Sequence, residues 1–109
     1  MPSSSDFTVS TVLAGPWAVV TPAGEIDVDS APDLERALDD CLDHHPSEVH
    51  VDLYAVRFCD CRGLGTLLRA QRRAHTLGAA LVLHDPAPVV ARLLAVSGTD
   101  GVLGPPVAA

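Results

Sequence analysis

The stretch that decides the fold is residues 49–76, which read VHVDLYAVRFCDCRGLGTLLRAQRRAHT. Apolar and polar side chains alternate over residues 49–54, and this period of two predicts a β-strand. A turn through residues 56–59 is expected next, and Asp60 is a favourable N-cap for a helix over residues 61–76, where leucines recur at helical spacing. The stretch therefore predicts one strand followed directly by one helix.

The same two periodicities predict the elements on either side. A break at Ala14-Gly15-Pro16 separates two short apolar runs, which together are typical of a β-hairpin. Strands are predicted at residues 7–13, 17–21 and 79–83, and a short last strand at Val102 and Leu103. One helix is predicted from residue 31, behind Ser30 as the N-cap, to the break at residues 44–46, and another at residues 87–96.

This order of elements determines the fold class. Consecutive strand–helix–strand units need crossover connections, so the chain is predicted to be α/β, with a mixed, largely parallel sheet of four to five strands packed with about three to four helices. A length of 109 residues fits one domain, which we expect over residues 7–103. Residues 1–6 are expected to be disordered and residues 104–109 to form a flexible tail.

The charge balance excludes one class of partner. All seven basic residues are Arg, against fourteen acidic residues, and the formal net charge is −7. Nucleic-acid binding needs a dense cationic surface, so DNA and RNA are not expected as partners.

The apolar runs and the cysteines indicate a location. Every apolar run is interrupted well before the roughly 18 residues that span a bilayer, so no membrane partner is expected. No secretory signal is visible at the N-terminus, and the three cysteines are an odd number, unlike the paired cysteines of small secreted domains. We therefore expect a cytoplasmic protein.

The common catalytic and metal-binding motifs are missing from the sequence. It has no Gly-x-x-x-x-Gly-Lys, Gly-x-Ser-x-Gly or His-Glu-x-x-His, so we expect a non-enzymatic protein without a cofactor. Cys59 and Cys61 supply only half of a four-ligand zinc site, and no metal is expected. Cys59 is interpreted as a small buried hydrophobe. Cys61 is expected in the first turn of a helix, where free N–H groups and the helix dipole stabilise a thiolate or an attached phosphate.

Two motifs carry a resemblance to a known family. Residues 52–68, DLYAVRFCDCRGLGTLL, resemble the signature of STAS domains of the anti-sigma-factor antagonist type, in which a strand ends in Asp-Ser-Ser-Gly-Leu-Gly at the start of a helix. Gly24-Glu-Ile-Asp27, followed by Ser30-Ala-Pro-Asp-Leu34, is similar to that family's Gly-Glu-Leu-Asp loop and first helix. The resemblance extends over about residues 7–103, with the elements in the family's order.

The resemblance implies a function and a set of residues. Such proteins bind an anti-sigma factor that is also a serine kinase of the histidine-kinase-like ATPase type, in partner-switching regulation of transcription. The kinase phosphorylates the first Ser of Asp-Ser-Ser-Gly, which releases the antagonist, and a phosphatase resets it. Asp60 and Gly63 match the family's Asp and Gly, and Asp27 matches the acidic loop residue, whereas Cys61 occupies the phosphoacceptor position and Arg62 the next one.

Arginines also recur along one face of the helix over residues 61–76. Two interpretations stay open for this face: a solvated surface, or a docking surface for an acidic partner. The partner surface is predicted to combine the first turn of this helix with the loop at residues 24–29. The predicted partner-binding residues are Asp27, Asp60, Cys61, Arg62, Gly63, Thr66, Arg69 and Arg73.

Two other functions fit parts of the sequence. The first alternative is a thiol-based redox sensor on the same fold, with Cys61 as its reactive group. The second is the STAS part of an anion transporter, which the missing membrane segments disfavour.

Overall fold

The computed structural model describes residues 7–97. It contains five strands, β1 (Thr8–Ala14), β2 (Trp17–Ile26), β3 (Glu48–Asp52), β4 (Val56–Cys59) and β5 (Ala80–His84), and three helices, α1 (Ala31–Leu42), α2 (Cys61–Thr76) and α3 (Pro88–Ser97). The predictions for residues 1–6, for a strand at Val102 and Leu103 and for the tail at residues 104–109 lie outside the described residues.

The strands form one mixed sheet with the order β1-β2-β3-β5. β1 is antiparallel to β2, and the other pairs are parallel. The second half of β2 pairs instead with β4, and the register of this ladder shifts between Gly24 and Glu25. The predicted α/β class with a mixed, largely parallel sheet is confirmed.

One face of the sheet carries the core. Alternate residues of β2, β3 and β5 are buried, and α1 and α2 pack side by side against them. The apolar positions predicted on both helices supply the rest of this cluster, with Leu34 and Leu38 from α1 and Leu64 and Leu67 from α2. None of the helices within residues 7–97 has the length and apolar composition to traverse a bilayer.

The prediction for residues 56–59 was wrong. They were expected to form a turn, but they form β4, which pairs in parallel with the end of β2. β2 is also longer than the predicted residues 17–21, because its second half has β4 as a partner. This short parallel ladder holds the end of β2 next to the start of α2.

Candidate partner-binding site

Asp60 caps the N-terminus of α2, as predicted. Its Oδ1 accepts hydrogen bonds from the backbone N–H of Arg62 at 2.9 Å and of Gly63 at 3.1 Å. The backbone N–H of Asp60 donates to the carbonyl oxygen of Ile26 at 3.1 Å, which ties the cap to the end of β2. Cys61 is the first residue of the helix and is exposed.

The loop that follows β2 is held by its own side chains. Asp27 Oδ1 accepts from the backbone N–H of Asp29 at 3.0 Å and of Ser30 at 3.1 Å. The buried Ser30 hydroxyl donates to the carbonyl oxygen of Glu25 at 2.7 Å and accepts from the N–H of Asp27 at 2.9 Å. Ser30 occupies the predicted N-cap position of α1, but its side chain makes no capping hydrogen bond, because the hydroxyl is engaged by the preceding loop.

The loop and the first turn of α2 lie at the same end of the sheet, because Ile26 pairs with Cys59 across β2 and β4. An open groove of about 250 Å³ separates the start of α1 from the start of α2. It is lined by Val28, Ala31, Pro32, Glu35, Cys61, Arg62, Gly65, Thr66 and Arg69. Four of the predicted partner-binding residues therefore line the same concave surface: Cys61, Arg62, Thr66 and Arg69.

Gly63 lies on the opposite side of the same turn, against the sheet. A Cβ atom there would be 2.5 Å from Ile26 Cγ2 and 2.7 Å from Cys59 Sγ, distances that no side chain tolerates without a shift of its neighbours. Thr66 is only 1% exposed, and its hydroxyl donates to the carbonyl oxygen of Arg62 at 3.1 Å. Gly63 therefore keeps α2 close to the sheet, whereas Thr66 lines the groove between α1 and α2 with almost no exposed surface. That both residues contact a partner stays a prediction.

The three thiols occupy different environments. Cys41 and Cys59 are buried and Cys61 is exposed. Burial, followed by the nearby charge of Asp60, raises the pKa of Cys59 to about 12, and burial also raises the pKa of Cys41. The interpretation of Cys59 as a small buried hydrophobe is confirmed. Within residues 7–97, no group of three or more His, Cys, Asp or Glu side chains is arranged to hold a metal ion.

The arginines further along α2 are paired with α1. Arg69 lies 3.3 Å from Glu35, and Arg73 lies 2.5 Å from Asp39 and 2.7 Å from Asp43. Hydrogen bonds to Asp39 and then to Asp43 raise the pKa of Arg73 above its ordinary value.

Both interpretations of this basic face, a solvated surface or a docking surface, leave out pairing within the chain. The pairing had a signal in the sequence, since Glu35, Asp39 and Asp43 recur every four residues, as Arg69 and Arg73 do. Arg62 makes no ion pair within the described part of the chain.

Known proteins match both the sequence and the fold. The family described as "Mlab, STAS domain" matches residues 10–105. The chain belongs to the STAS domain family. None of the curated proteins compared with this STAS domain matches it.

Solved structures share the fold over most of the chain. An anti-sigma factor antagonist from Mycobacterium paratuberculosis is 26% identical to this STAS domain, with 94% of this chain and 86% of that chain covered and a TM-score of 0.77. The anti-sigma factor antagonist SpoIIAA in its unphosphorylated form is 19% identical, with 90% and 84% covered and a TM-score of 0.76, and the Bacillus protein is also known in its phosphorylated form. This STAS domain therefore has the fold of anti-sigma factor antagonists.

A transporter domain has the same fold. The STAS domain of a SulP transporter from Vibrio cholerae is 22% identical, with 85% of this chain and 72% of that chain covered and a TM-score of 0.68. The fold is therefore common to antagonists and transporter domains, and a choice between them depends on the site.

Proposed function

We propose that this STAS domain is a non-enzymatic, cytoplasmic binding module that binds an anti-sigma factor of the kinase-like ATP-binding type in partner-switching regulation of transcription. The observation that carries the proposal is the exposed first turn of α2, where Cys61 and Arg62 stand beside the groove and the ordered loop at residues 27–30. The similarity to an anti-sigma factor antagonist over 94% of the chain supports it.

The proposed contact surface has an open part and a supporting part. Cys61, Arg62 and Arg69 line the groove and provide the contacts. Asp27, in the loop after β2, and Asp60, at the N-cap of α2, act as hydrogen-bond acceptors. Arg69 stays within reach of a partner, although it pairs with Glu35. Gly63 positions α2 against the sheet, and Thr66 and Arg73 lie between α2 and α1, where they help to fix the packing of the two helices.

Cys61 occupies the position at which the family's phosphoacceptor serine stands. A thiol is not the hydroxyl that a serine kinase uses, so we propose that binding persists here without phosphorylation at this position. Binding depends on the shape and charge of the surface and not on a hydroxyl that accepts phosphate. The exposed first turn of α2 offers such a surface, with the groove beside it and the charge of Arg62.

The binding proposal is tested with purified anti-sigma factors of the kinase-like ATP-binding type from the organism that encodes this protein. We expect a complex, and we expect Arg62→Glu to weaken it at least about tenfold, because the substitution reverses a charge at the centre of the surface. The matched control is Arg92→Glu, which makes the same reversal at an exposed position of α3. Absence of a complex, or equal losses in the two variants, contradicts the proposal.

The phosphorylation proposal is tested separately by mass spectrometry after incubation with that kinase and ATP. Wild-type protein is expected to stay unmodified, whereas Cys61→Ser restores a hydroxyl at a helix N-terminus that stabilises the added charge of about −1.5 to −2. Arg62 is placed to pair with the new phosphate. Phosphate on any residue of the wild-type protein would contradict the proposal that this protein binds its partner without being controlled by phosphorylation.

A second function is favoured by one observation: Cys61 is exposed, whereas Cys41 and Cys59 are buried. A redox sensor needs an accessible thiol that forms a thiolate readily. Alkylation of Cys61 as a function of pH, together with mild peroxide treatment, separates the two proposals. A stable sulfenate at Cys61, combined with no anti-sigma factor binding, would favour the sensor.

A further inference from the structure

β1 leaves one side of its backbone without a strand partner. It is the edge of the sheet, and within residues 7–97 only β2 pairs with it. Its sequence, TVSTVLA, has no charged residue in a chain whose net charge is −7. Natural sheets normally protect edge strands with charges, proline or bulges, because an unprotected edge accepts another strand.

The side chains of β1 are divided between the two faces of the sheet. Val9, Thr11 and Leu13 pair with Pro22, Val20 and Ala18, which are all buried, so these three side chains lie on the face that carries α1. Val9 is half-buried and packs against the core, whereas Leu13 is 48% exposed. The edge therefore ends in a leucine that nothing in the described part of the chain covers fully.

A groove of about 360 Å³ lies between β1 and α1, next to the same edge. Phe7, Val9 and Ala37 provide its apolar lining, and Asp33, Arg36 and Asp40 provide its charged wall. Arg36 is exposed and its nearest carboxylate oxygen, on Asp33, is 3.9 Å away. A molecule that binds at this edge can therefore contact the guanidinium group of Arg36 as well as the carboxylates of Asp33 and Asp40.

We propose that β1 pairs with β1 of a second copy of this chain, antiparallel and about a two-fold axis at Thr11. In this register Leu13 of each copy lies opposite Val9 of the other, on the face that carries α1. Each copy then places its exposed Leu13 against the groove of its partner. The contact is isologous and closes as a dimer, because each chain contributes both the leucine and the groove.

A second copy fits this edge better than an unrelated strand does. Any extended peptide can satisfy the free backbone groups of an edge. A second copy, however, brings an uncharged β1 with an exposed Leu13, and also a groove between β1 and α1 that can receive Leu13 of its partner. Stable interfaces bury roughly 1,200–2,000 Å². A contact built on one strand of seven residues is small by that standard, so we expect a reversible dimer whose population depends on protein concentration.

The oligomeric state is measured by sedimentation equilibrium over a concentration series up to about 1 mM, the dissociation range of weak interfaces. The mass is expected to rise from 11.4 kDa towards twice that value. Thr11→Lys places a charge at the centre of the contact and is expected to weaken the dimer at least about tenfold. Ala80→Lys, at an exposed position on the opposite edge strand β5, is the matched control and is expected to leave the dimer unchanged.

A crosslinking experiment tests the register in a Cys61→Ala background. Thr11→Cys places two thiols across the proposed axis and is expected to form a disulfide-linked dimer on mild oxidation. Thr8→Cys, exposed on the same strand, is its control, because in this register Thr8 lies opposite Ala14 rather than opposite itself. A monomer at every concentration, an equal loss from Ala80→Lys, or equal crosslinking from Thr8→Cys overturns the proposal.

Discussion

The inner and outer sides of the first turn of α2 differ sharply, although their residues are only two positions apart. Gly63 is packed against Ile26 and Cys59, whereas Gly65 lies on the groove with only the Arg69 side chain near the position of a Cβ. Cys59 is buried and Cys61 is exposed. One short motif thus contains residues that fix the helix on the sheet and residues that are open to a partner, and the two groups should respond differently to substitution.

The largest loss of stability at neutral pH is expected for a side chain at Gly63. Gly63→Val is expected to destabilise the fold by about 2–3 kcal/mol, because its Cβ would overlap Ile26 and Cys59. Gly65→Ala, two positions further on, is expected to stabilise the helix by about 1 kcal/mol, because its Cβ meets only the flexible end of Arg69 at 3.4 Å. Urea unfolding measures both, and equal stability of the two variants would remove the distinction.

The buried thiol of Cys59 is expected to lower the free energy of unfolding at alkaline pH. The pKa of Cys59 is about 12 in the folded protein against an ordinary value of 9.0, so unfolding allows the thiol to ionise. The stabilising contribution is complete below pH 9.0 and is lost as the pH rises towards 12, by at most about 1.4 kcal/mol per pH unit. Denaturant unfolding of wild type and Cys59→Ala between these values measures it, and identical slopes would contradict the assignment.

A smaller loss is expected when the helix cap is removed. Asp60→Ala takes away the acceptor for the N–H groups of Arg62 and Gly63 and is expected to cost about 1 kcal/mol of unfolding free energy. Asp60→Asn keeps an oxygen at the cap and is the matched control, with most of the stability retained. If both variants lose the same amount, then the charge of Asp60 matters more than its hydrogen bonds.

The smallest effect on stability is expected for substitutions of the arginines of α2. This effect should differ between Arg73, which is paired with α1, and Arg62, which lies in the first turn. Arg73→Ala breaks the contacts with Asp39 and Asp43 and is expected to lower the melting temperature slightly in low salt and less in high salt. Arg62→Ala breaks no ion pair within residues 7–97 and is expected to leave the melting temperature unchanged. Thermal unfolding at two salt concentrations tests the pair, and a salt-dependent loss in Arg62→Ala would contradict it.

Much of the fold was predictable from periodicity, and the exceptions have a physical reason. Long segments with a clear period, such as α2, were located from the sequence, and the N-cap at Asp60 was correctly identified. β4 was missed because it has four residues and its burial does not alternate, with Arg57 and Phe58 both exposed between two buried ends. Its extended conformation comes from pairing with β2, a contact between distant segments that no local pattern contains.

The site was predictable in position but not in the division of roles. The motif correctly indicated that Asp60 caps the helix and that Cys61 begins it. It did not indicate how far each following residue is exposed in the packed protein: Gly63 lies against the sheet, and Thr66 lines the groove but is almost fully buried. The pairing of Arg73 likewise depends on how α1 and α2 lie together.

The hydrogen bonds around Asp27 have a consequence for the thermodynamics of association. One carboxylate oxygen and one buried hydroxyl, that of Ser30, already fix the backbone between Glu25 and Ser30 in the free protein. Binding normally loses free energy to the ordering of mobile segments, and here that ordering has largely taken place during folding. We therefore expect a partner that contacts this loop to bind without a large unfavourable conformational entropy from it, and to dissociate without the loop becoming disordered.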